Sequence, residues 1–526
     1  MKKIIYTICF ICFILTGCSK DFIEKSSRTE IAENNFWKSE ADAFLALNGV
    51  YSTLQNKSMY GGNLNGWQGF PGFDGLGDNA FNNFKWEGLG NFMEGNIDPS
   101  NDPLSAIWND LYRGIARVNS VIKNVEIISE DLVDAETKEE LLGQAYFLRA
   151  LFYFNLAVYF EDAPLITAPQ ILKEAYVPKN TYAEITEQIR EDLKFSIDAL
   201  PVTYSEKIDA TATEFNSLYG YATKGAALGL FARVQLYNKE YNDPEYGVLA
   251  LTQEAMSLGY ALHNNYAELF TPANETSPEI VFSVRFLRGN GNSGELFSGT
   301  FNGFPKGDLR PMPNLANDYY CTDGLPITTS PLYNASNRGA NRDPRANATI
   351  YYGGEVYLTD PVRTFQSNGP TSFGTRKYIR TGPDAELNPV FAEGSQDFYL
   401  IRYADILLMR AEALAENGDI FGARDLINQI RDRVDMPTVQ EVEGAVNQQQ
   451  MIDIVRHERR VELAMEGLRF MDLKRWDEIE DAFNRAISDP VGPYNPIYLQ
   501  GKSEVFPIPQ NEIDVNPQLV QHPDWQ

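Results

Sequence analysis

Apolar residues recur at helical spacing along several stretches of this 526-residue chain. The clearest pattern runs from Arg402 to Val434, where two apolar stripes flank the break Asn417-Gly418. Because residues i, i+3, i+4 and i+7 share one face of a helix, the stripes predict two amphipathic helices. Asp419 is placed to cap the second helix. The pattern therefore predicts a helical hairpin in this part of the chain.

The hairpin is about 34 residues long and has small alanines at its crossing, so it resembles a tetratricopeptide unit. Further helices are predicted at Glu40–Leu54, Pro103–Val125, Thr137–Tyr159, Tyr182–Leu200, Thr223–Tyr237 and Met451–Trp476. The stretch Leu141–Phe160 is apolar enough to raise the question of a transmembrane span. Gln144, Arg149 and Asn155 lie inside it, which favours a helix buried in a bundle.

Two long irregular regions, Lys57–Asn101 and Leu269–Gln396, separate the helical stretches and are rich in Gly, Asn, Pro and Ser. Isolated strand-like pieces such as Glu279–Phe286 occur within them. Loops carried on a rigid scaffold are where binding groups usually lie. No linker sets these regions apart. We therefore predict one large, mainly α-helical domain with long irregular insertions and a few short strands.

The amino terminus has the layout of a secretory signal peptide. Lys2 and Lys3 precede an uncharged run, Ile4–Leu15, which is too short for a bilayer span of roughly 20 apolar residues. The following Thr16-Gly17-Cys18 resembles the lipobox of bacterial lipoproteins. That resemblance implies removal of residues 1–17 and acylation of Cys18, so that lipid anchors residues 18–526 to a membrane. The alternative is a plain secretory peptide with an incidental cysteine.

Charge and cysteine content exclude several classes of site. The formal net charge is −27 and becomes −29 without Lys2 and Lys3, so the chain repels nucleic acid and no such partner is predicted. The mature chain keeps one free cysteine, Cys321, which rules out a disulfide framework. The three histidines are scattered, so no His-rich metal site is predicted. No cofactor is expected, although oxygen-only calcium sites stay open.

Aromatic residues make up 12% of the chain, more than a helical core needs, and many lie in irregular regions. The first region contains Trp67, Phe70, Phe73, Phe81, Phe84, Trp86 and Phe92, interleaved with Asp74, Asp78, Asn79, Asn82 and Asn83. A sugar ring has an apolar face and a rim of hydroxyls, so aromatic platforms beside polar acceptors suit it. The alternative is that most of these rings pin a loop to the helices. We expect at least one tryptophan to reach a ligand.

Several segments together resemble the SusD/RagB family of outer-membrane glycan-binding lipoproteins. They are the lipobox, IRYADILLMRAEALAENG, HERRVELAMEGLRFMDLKRW, FPIPQNEIDVNPQLVQHPDW and YYCTDGLPI. The resemblance spans nearly the whole mature chain and is strongest in the C-terminal region, about 397–526. The ending His522-Pro523-Asp524-Trp525 departs from the more usual Asn-Pro-Gly-aromatic pattern.

The resemblance implies four tetratricopeptide-like helical pairs that form a lid on a SusC-like TonB-dependent transporter. It implies a protein on the outer face of the outer membrane that captures oligosaccharides, delivers them to the transporter and catalyses nothing. In the family, the second irregular region also supplies ligand groups. The predicted glycan contacts are Trp67, Asp78, Asn79, Phe84, Trp86, Tyr320, Cys321 and Arg376.

Two other functions stay open at this point. A surface glycoside hydrolase needs only two carboxylates about 5–10 Å apart, and the chain has 72 acidic residues. A helical scaffold that binds only protein, or imports peptides, is also compatible with a tetratricopeptide-like hairpin.

The motif HERRVELAMEGLRF is interpreted as structural. We predict that its charged residues pair at helical spacings and that its apolar residues face inward. The charged residues are Glu458, Arg459, Arg460, Glu462 and Arg469, and the apolar ones are Val461, Met465 and Leu468.

Overall fold

Helices form most of the described chain, and short strands connect the irregular segments. The computed structural model describes residues 36–62, 69–84, 87–90, 92–171, 176–204, 220–289, 293–298, 307–359, 362–365, 371–378, 393–489, 491 and 494–526. The longer helices are α1 (Glu40–Leu54), α2 (Asp102–Ile127), α3 (Ala135–Phe160), α4 (Tyr182–Ala199), α5 (Lys224–Tyr237) and α6 (Val248–Met256). Three short helices follow, namely α7 (Tyr266–Leu269), α8 (Pro313–Asp318) and α9 (Pro344–Thr349).

The C-terminal part is again helical. Its helices are α10 (Tyr403–Glu416), α11 (Ile420–Asp432), α12 (Val439–Val442), α13 (Gln448–Leu463), α14 (Arg469–Arg475), α15 (Ile479–Ser488) and α16 (Gln510–Val515). The strands are β1 (Ala80–Asn82), β2 (Ile280–Val284), β3 (Leu309–Pro311), β4 (Ile350–Tyr351), β5 (Val356–Thr359), β6 (Val362–Thr364), β7 (Gly374–Thr375) and β8 (Phe398–Arg402). They pair antiparallel as β1–β3, β2–β8, β4–β7 and β5–β6. The predicted strand at Glu279–Phe286 is thus confirmed as β2.

Helices α1 to α5 begin and end within two residues of their predicted bounds, because polar side chains cap them. Ser39 accepts a hydrogen bond from the Asp42 amide at the start of α1. Thr181 and Glu184 form a capping box at the start of α4, in which each side chain accepts from the other residue's amide. Such caps satisfy amides that have no partner within the helix.

The predicted hairpin is confirmed as α10 and α11. Gly418 takes a φ of 81°, which a glycine adopts without strain, and Asp419 accepts from the Gly422 amide at 2.9 Å. The helices stack in sequence, α2 on α3, α3 on α4, α4 on α5 and α5 on α6, and α10 extends the stack against α6, α11 and α13. One continuous cluster of buried apolar side chains runs from Ala43 to Leu519. The fold is therefore mainly α, with tetratricopeptide-like hairpins as predicted.

Helix α3 is long and apolar enough to cross a membrane, but 89% of its most apolar window is buried inside the protein. Its polar residues have partners there. Arg149 pairs with Asp192 at 2.7 Å, and the Gln144 amide donates to the Ala222 carbonyl at 2.7 Å. The prediction of a buried bundle helix is confirmed.

The predicted single helix Met451–Trp476 is wrong, because the chain leaves the helical conformation between α13 and α14. Met465 and Gly467 have φ values of 66° and 76°. The buried carboxylate of Asp74 accepts from both amides, at 3.1 and 2.5 Å. A Cβ on Gly467 would lie 2.3 Å from the Phe70 carbonyl oxygen, so the site needs glycine. A contact from the first irregular region thus decides this break.

The five charged side chains of the motif are buried and pair with other elements, so the predicted pairing at helical spacings is wrong. Glu462 contacts Arg402 at 2.7 Å and Arg433 at 2.6 Å, and all three side chains are at most 3% exposed. We call the surrounding group the ionic cluster. Its described members are Glu279, Asp343, Glu458, Glu462, Glu466, Arg345, Lys377, Arg402, Arg431 and Arg433. These five carboxylates and five basic groups balance in formal charge.

The apolar residues of the same motif behave as predicted. Val461 and Met465 are fully buried, and Leu468 packs partly buried against the core. The motif therefore carries both core packing and a buried set of ions.

The ionic cluster predicts a pH-dependent loss of stability. Burial disfavours the ionised form of Glu458, but the charges of Arg345 and Arg431 outweigh burial and hold its pKa at about 2, against 4.5 when unperturbed. A lowered folded-state pKa stabilises the fold above the unfolded-state pKa, and this contribution is lost as pH falls toward the folded value. We expect Glu458→Gln to lower the free energy of unfolding by about 3–5 kcal/mol at pH 7. The deficit should shrink by up to about 3 kcal/mol as pH falls from 4.5 toward 2.

Urea unfolding of both proteins across this pH range measures the effect. Asp453→Asn, on the exposed face of α13, is the control and should change stability little at any pH. A Glu458→Gln deficit that stays constant with pH would contradict the electrostatic explanation.

Candidate functional site

The two irregular regions meet through strand pairing, although they lie far apart in the sequence. β1 pairs with β3, so that Phe81 faces Arg310 across the ladder. Just beyond the end of β1, Asn83 donates its amide hydrogen to the Asp308 carbonyl at 2.7 Å. This pairing places the end of the first region directly beside the second.

A second pair of strands continues the same surface. The Thr375 hydroxyl on β7 donates to the Leu309 carbonyl on β3 at 2.6 Å, and Arg310 donates to the Phe373 carbonyl at 3.3 Å. β7 in turn pairs with β4. We call this surface the loop face and define it by Asn82, Phe84, Tyr351, Glu355, Phe365 and Arg376.

Phe84 lies half-buried at one end of the loop face. Its amide donates to the Asn82 side-chain oxygen at 3.0 Å, and its carbonyl accepts from the Glu87 amide at 2.9 Å. The turn continues to Gly90, where a Cβ would lie 3.0 Å from the Phe84 carbonyl oxygen. These contacts hold the backbone on both sides of Phe84, whose side chain is partly open to solvent.

Arg376 forms a layered stack at the other end of the loop face. Its guanidinium lies 4.9 Å from the centre of the Tyr351 ring, and Tyr351 stacks on Phe365 at 6.1 Å with a 22° interplanar angle. Arg376 also pairs with Glu355 at 3.3 Å, and the two side chains are 37% and 33% exposed. A planar guanidinium and a carboxylate at a solvent-exposed rim provide donors and acceptors that match adjacent sugar hydroxyls.

Sequence reasoning missed Tyr351, Glu355 and Phe365 in this stack. The paired aromatics of Tyr351-Tyr352 followed by Gly353-Gly354 are a strand-and-turn signal that was available in the sequence. The assembly of the three side chains around Arg376 was not available, because it depends on the pairing of β4 with β7.

Comparison with known proteins places this chain in a family. A model described as the SusD family matches residues 278–525, and a model described as starch-binding associating with outer membrane matches residues 21–236. The chain belongs to the SusD family. A SusD-like protein of Formosa agariphila is 29% identical over 97% of this chain and 96% of its own length.

Solved structures support the same membership. A SusD-like carbohydrate-binding protein of Bacteroides fragilis is 27% identical with a TM-score of 0.78, and the match covers 92% of this chain and all of the other. A laminarin-binding SusD-like protein is 25% identical with a TM-score of 0.72, over 93% of this chain and all of the other. This chain is therefore similar in sequence and fold to carbohydrate-binding members of the family.

Asp78 and Asn79 lie inside this SusD-family protein rather than on the loop face. Asp78 is fully buried and pairs with Arg469 at 2.7 Å, Arg485 at 2.6 Å and Arg460 at 3.2 Å. Burial opposes ionisation of Asp78, but these arginine charges outweigh it and hold the pKa of the carboxyl well below its usual range. Asn79 donates to Asp74 at 2.7 Å and accepts from Arg460 at 2.9 Å. The prediction that Asp78 and Asn79 contact a glycan is therefore wrong, and both residues have a structural role.

Tyr320 and Cys321 face the helices instead of the loop face. The half-buried ring of Tyr320 stacks on His457 of α13 at 4.2 Å, and burial raises its pKa to about 12. Cys321 is fully buried, so its predicted ligand contact is also corrected. The chain turns directly after Cys321, where the Gly324 amide donates to the Cys321 carbonyl at 2.8 Å.

Four aromatics of the first region pin it to the helical scaffold. Phe70 and Phe73 contact Tyr159 of α3 at 5.6 and 5.0 Å. Phe81 contacts Tyr494 at 4.6 Å, and Phe92 contacts Phe470 of α14 at 5.6 Å. The alternative interpretation, in which these rings anchor a loop, is confirmed for these four. Trp67 and Trp86 lie outside the described residues, so their contact with a ligand stays a prediction.

A cavity beneath the loop face is too small for a sugar ring, and the described residues contain no group of side chains that would bind a metal ion. A glycine-lined cavity between Phe73 and Ile107 has a volume of about 30 Å³, which suits a water molecule rather than a sugar ring. Within the described ranges, no three His, Cys, Asp or Glu side chains are placed to hold a metal ion. The structure therefore assigns no residues to the calcium ion that the sequence left open.

The burial of Asp78 predicts a structural phenotype. Asp78→Asn leaves three buried or half-buried guanidinium groups without their shared carboxylate, so we expect a loss of about 3–5 kcal/mol in the free energy of unfolding. The variant that remains folded should bind glycans with unchanged affinity. Thermal unfolding and calorimetric titration measure the two effects. Asp131→Asn, at an exposed site, is the matched control. Unchanged stability together with lost affinity would contradict the structural role and show that Asp78 contacts the ligand.

Proposed function

We propose that this SusD-family protein captures oligosaccharides at the cell surface and passes them to a SusC-like TonB-dependent transporter, without cleaving them. The observation that carries the proposal is the loop face, on which a partly exposed phenyl ring and a partly exposed Arg376–Glu355 pair lie just beyond the ends of paired strands. Such a surface offers both the apolar platform and the planar polar groups that recognise a sugar.

The relatives support a carbohydrate as the ligand. One of the similar structures is a laminarin-binding protein, and one matching family model is described as starch-binding. Both laminarin and starch are neutral glucans. An uncharged glucan also suits a chain of net charge −27, which would repel an anionic polysaccharide.

The proposed attachment to the membrane depends on the sequence of the amino terminus. The sequence up to Cys18 predicts lipidation, and the family model that matches residues 21–236 is described as associating with the outer membrane. A lipid tether would keep the receptor at the membrane surface while leaving its loop face open to ligand. Residues 1–35 lie outside the described residues, so the tether rests on sequence alone.

Binding without cleavage separates this proposal from the glycoside hydrolase alternative. The purified full chain should bind at least one glycan of a panel that includes laminarin and starch, and no new reducing ends should appear on long incubation. Turnover would establish the hydrolase alternative. No calorimetric signal across a broad glycan panel, together with tight binding of the transporter or of peptides, would favour the protein-binding scaffold.

Trp86 provides the sharpest test of the capture site. We expect Trp86→Ala to reduce glycan affinity by roughly tenfold or more, because loss of a stacking indole removes the platform that the sugar face contacts. The melting temperature should change little. Affinity gel electrophoresis and calorimetry measure binding, and differential scanning calorimetry measures stability.

Phe421→Ala serves as the matched control, since Phe421 is 69% exposed on α11, away from the loop face. It should leave both affinity and stability unchanged. A Trp86→Ala protein that binds as tightly as the wild type, or that fails to fold, would contradict the assignment of Trp86 to the ligand site.

Lipidation at Cys18 is tested by fractionation. Cys18→Ala removes the sulfur that would carry the lipid, so we expect the protein to move from the membrane fraction to the soluble fraction. Cys321→Ala is the control, because that cysteine is buried in the fold. Persistent membrane association of Cys18→Ala would refute the lipid anchor.

A further inference from the structure

A ligand-sized groove lies between α1, β2 and the residues that precede α5, and it shares no residue with the loop face. It has two adjoining lobes of about 420 and 260 Å³, and Gly220, Tyr221 and Ser283 line both. The larger lobe falls in the range of small-molecule sites, roughly 300–1,000 Å³. We call it the tyrosine groove and define it by Tyr51, Tyr204, Tyr221 and Tyr260.

Tyr221 lies where the two lobes meet. Its ring centre is 5.2 Å from that of Tyr51 and 6.2 Å from that of Tyr204. Tyr51, Tyr221 and Tyr260 are each half-buried, so part of each ring is open to solvent. The groove thus presents several partly exposed aromatic rings along its length. Packing between neighbouring elements alone would not need so many rings open to solvent.

Hydrogen bonds at the ring hydroxyls hold these side chains in place. Tyr51 accepts from the Ala222 amide at 2.9 Å and donates to the side chain of Gln144. Tyr221 donates to the Asn48 side chain, and the Tyr260 hydroxyl lies 3.3 Å from that of Thr223. Rings fixed in this way lose little conformational entropy when a ligand binds, so the site is preorganised.

The charge of the groove lining is unusual for this chain. Acidic residues outnumber basic ones by 72 to 45, yet the described lining of both lobes contains no carboxylate. Its one charged residue, Arg285, pairs with the buried Asp397 at 2.7 Å. The other polar lining groups are hydroxyls and amides, such as Ser52, Gln55 and Thr276. Such a lining suits a polar but uncharged ligand.

We propose that the tyrosine groove is a second binding site for a neutral oligosaccharide. Aromatic surfaces would contact the apolar faces of the sugar rings, while hydroxyl and amide groups would hydrogen-bond their rims. The inference shares its ligand class with the proposed function but rests on different residues. A polymer long enough to reach both sites would gain avidity over short fragments.

Hydrogen exchange of the full chain with two neutral hexasaccharides, β-1,3-linked laminarihexaose and α-1,4-linked maltohexaose, tests the proposal. We expect at least one of them to slow exchange in segments 48–55 and 220–223. This protection should persist in Trp86→Ala, which weakens the loop-face site. Adding Tyr221→Ala to that variant should lower the remaining affinity roughly tenfold.

A second variant guards against misfolding of Tyr221→Ala. Ser52→Glu places a bulky carboxylate at an exposed position in the smaller lobe without removing a packed ring, and it should also weaken the remaining binding. Tyr176→Ala, at a tyrosine that is 46% exposed elsewhere, should have no effect.

The outcomes separate the two sites. Protection confined to segments 80–84 and 350–376 would overturn the groove proposal and leave the proposed function intact. Protection confined to the groove would support the groove proposal and would show that the loop face does not bind the glycan. Absence of protection by either hexasaccharide at either site, or groove protection by an uncharged peptide alone, would overturn the groove proposal.

Discussion

The fold depends on keeping four charged side chains of α13, those of Glu458, Arg459, Arg460 and Glu462, inside the protein. Removing ions from water costs several kcal/mol each, and the cost is offset only where every charge meets its partners in good geometry. Glu462 meets this condition by contacting Arg402 from β8, Arg433 from the end of α11 and Arg345 from α9. Three separate elements must therefore reach one point on the helix. The ionic cluster gives the packing its specificity, whereas the apolar cluster around it supplies the hydrophobic driving force.

The same helix also positions the loops. Arg460 on α13 contacts Asp78 and Asn79, and Asp74 binds the amides that follow the helix. The first irregular region is thus fixed to the rigid part of the molecule at several points before its strand β1 meets β3. A binding surface built on such supported loops holds its groups in place, which ordinary surface loops do not.

The loop face and the tyrosine groove solve the same recognition problem in different ways. On the loop face, an exposed guanidinium and carboxylate lie beside aromatic rings, so directional hydrogen bonding dominates. In the groove, ring hydroxyls are already bonded to the protein and the described lining has no carboxylate, its one charged residue being the paired Arg285, so ring contact dominates. Two sites of modest affinity on one receptor would favour long polysaccharides, because the second contact becomes intramolecular once the first has formed.

The sequence by itself determined helices α1 to α5, the hairpin at α10 and α11, and the family, because apolar periodicity, caps and motifs are local features. It also located the two regions that form the loop face. Only the tertiary structure decided which aromatic rings anchor and which stay exposed, and that Asp78 serves the core. Asp78 meets Arg469 across 391 positions of sequence, and Tyr221 meets Asn48 across 173. Residue types alone do not specify such pairings, because the partner of a buried charge or ring depends on how distant elements pack.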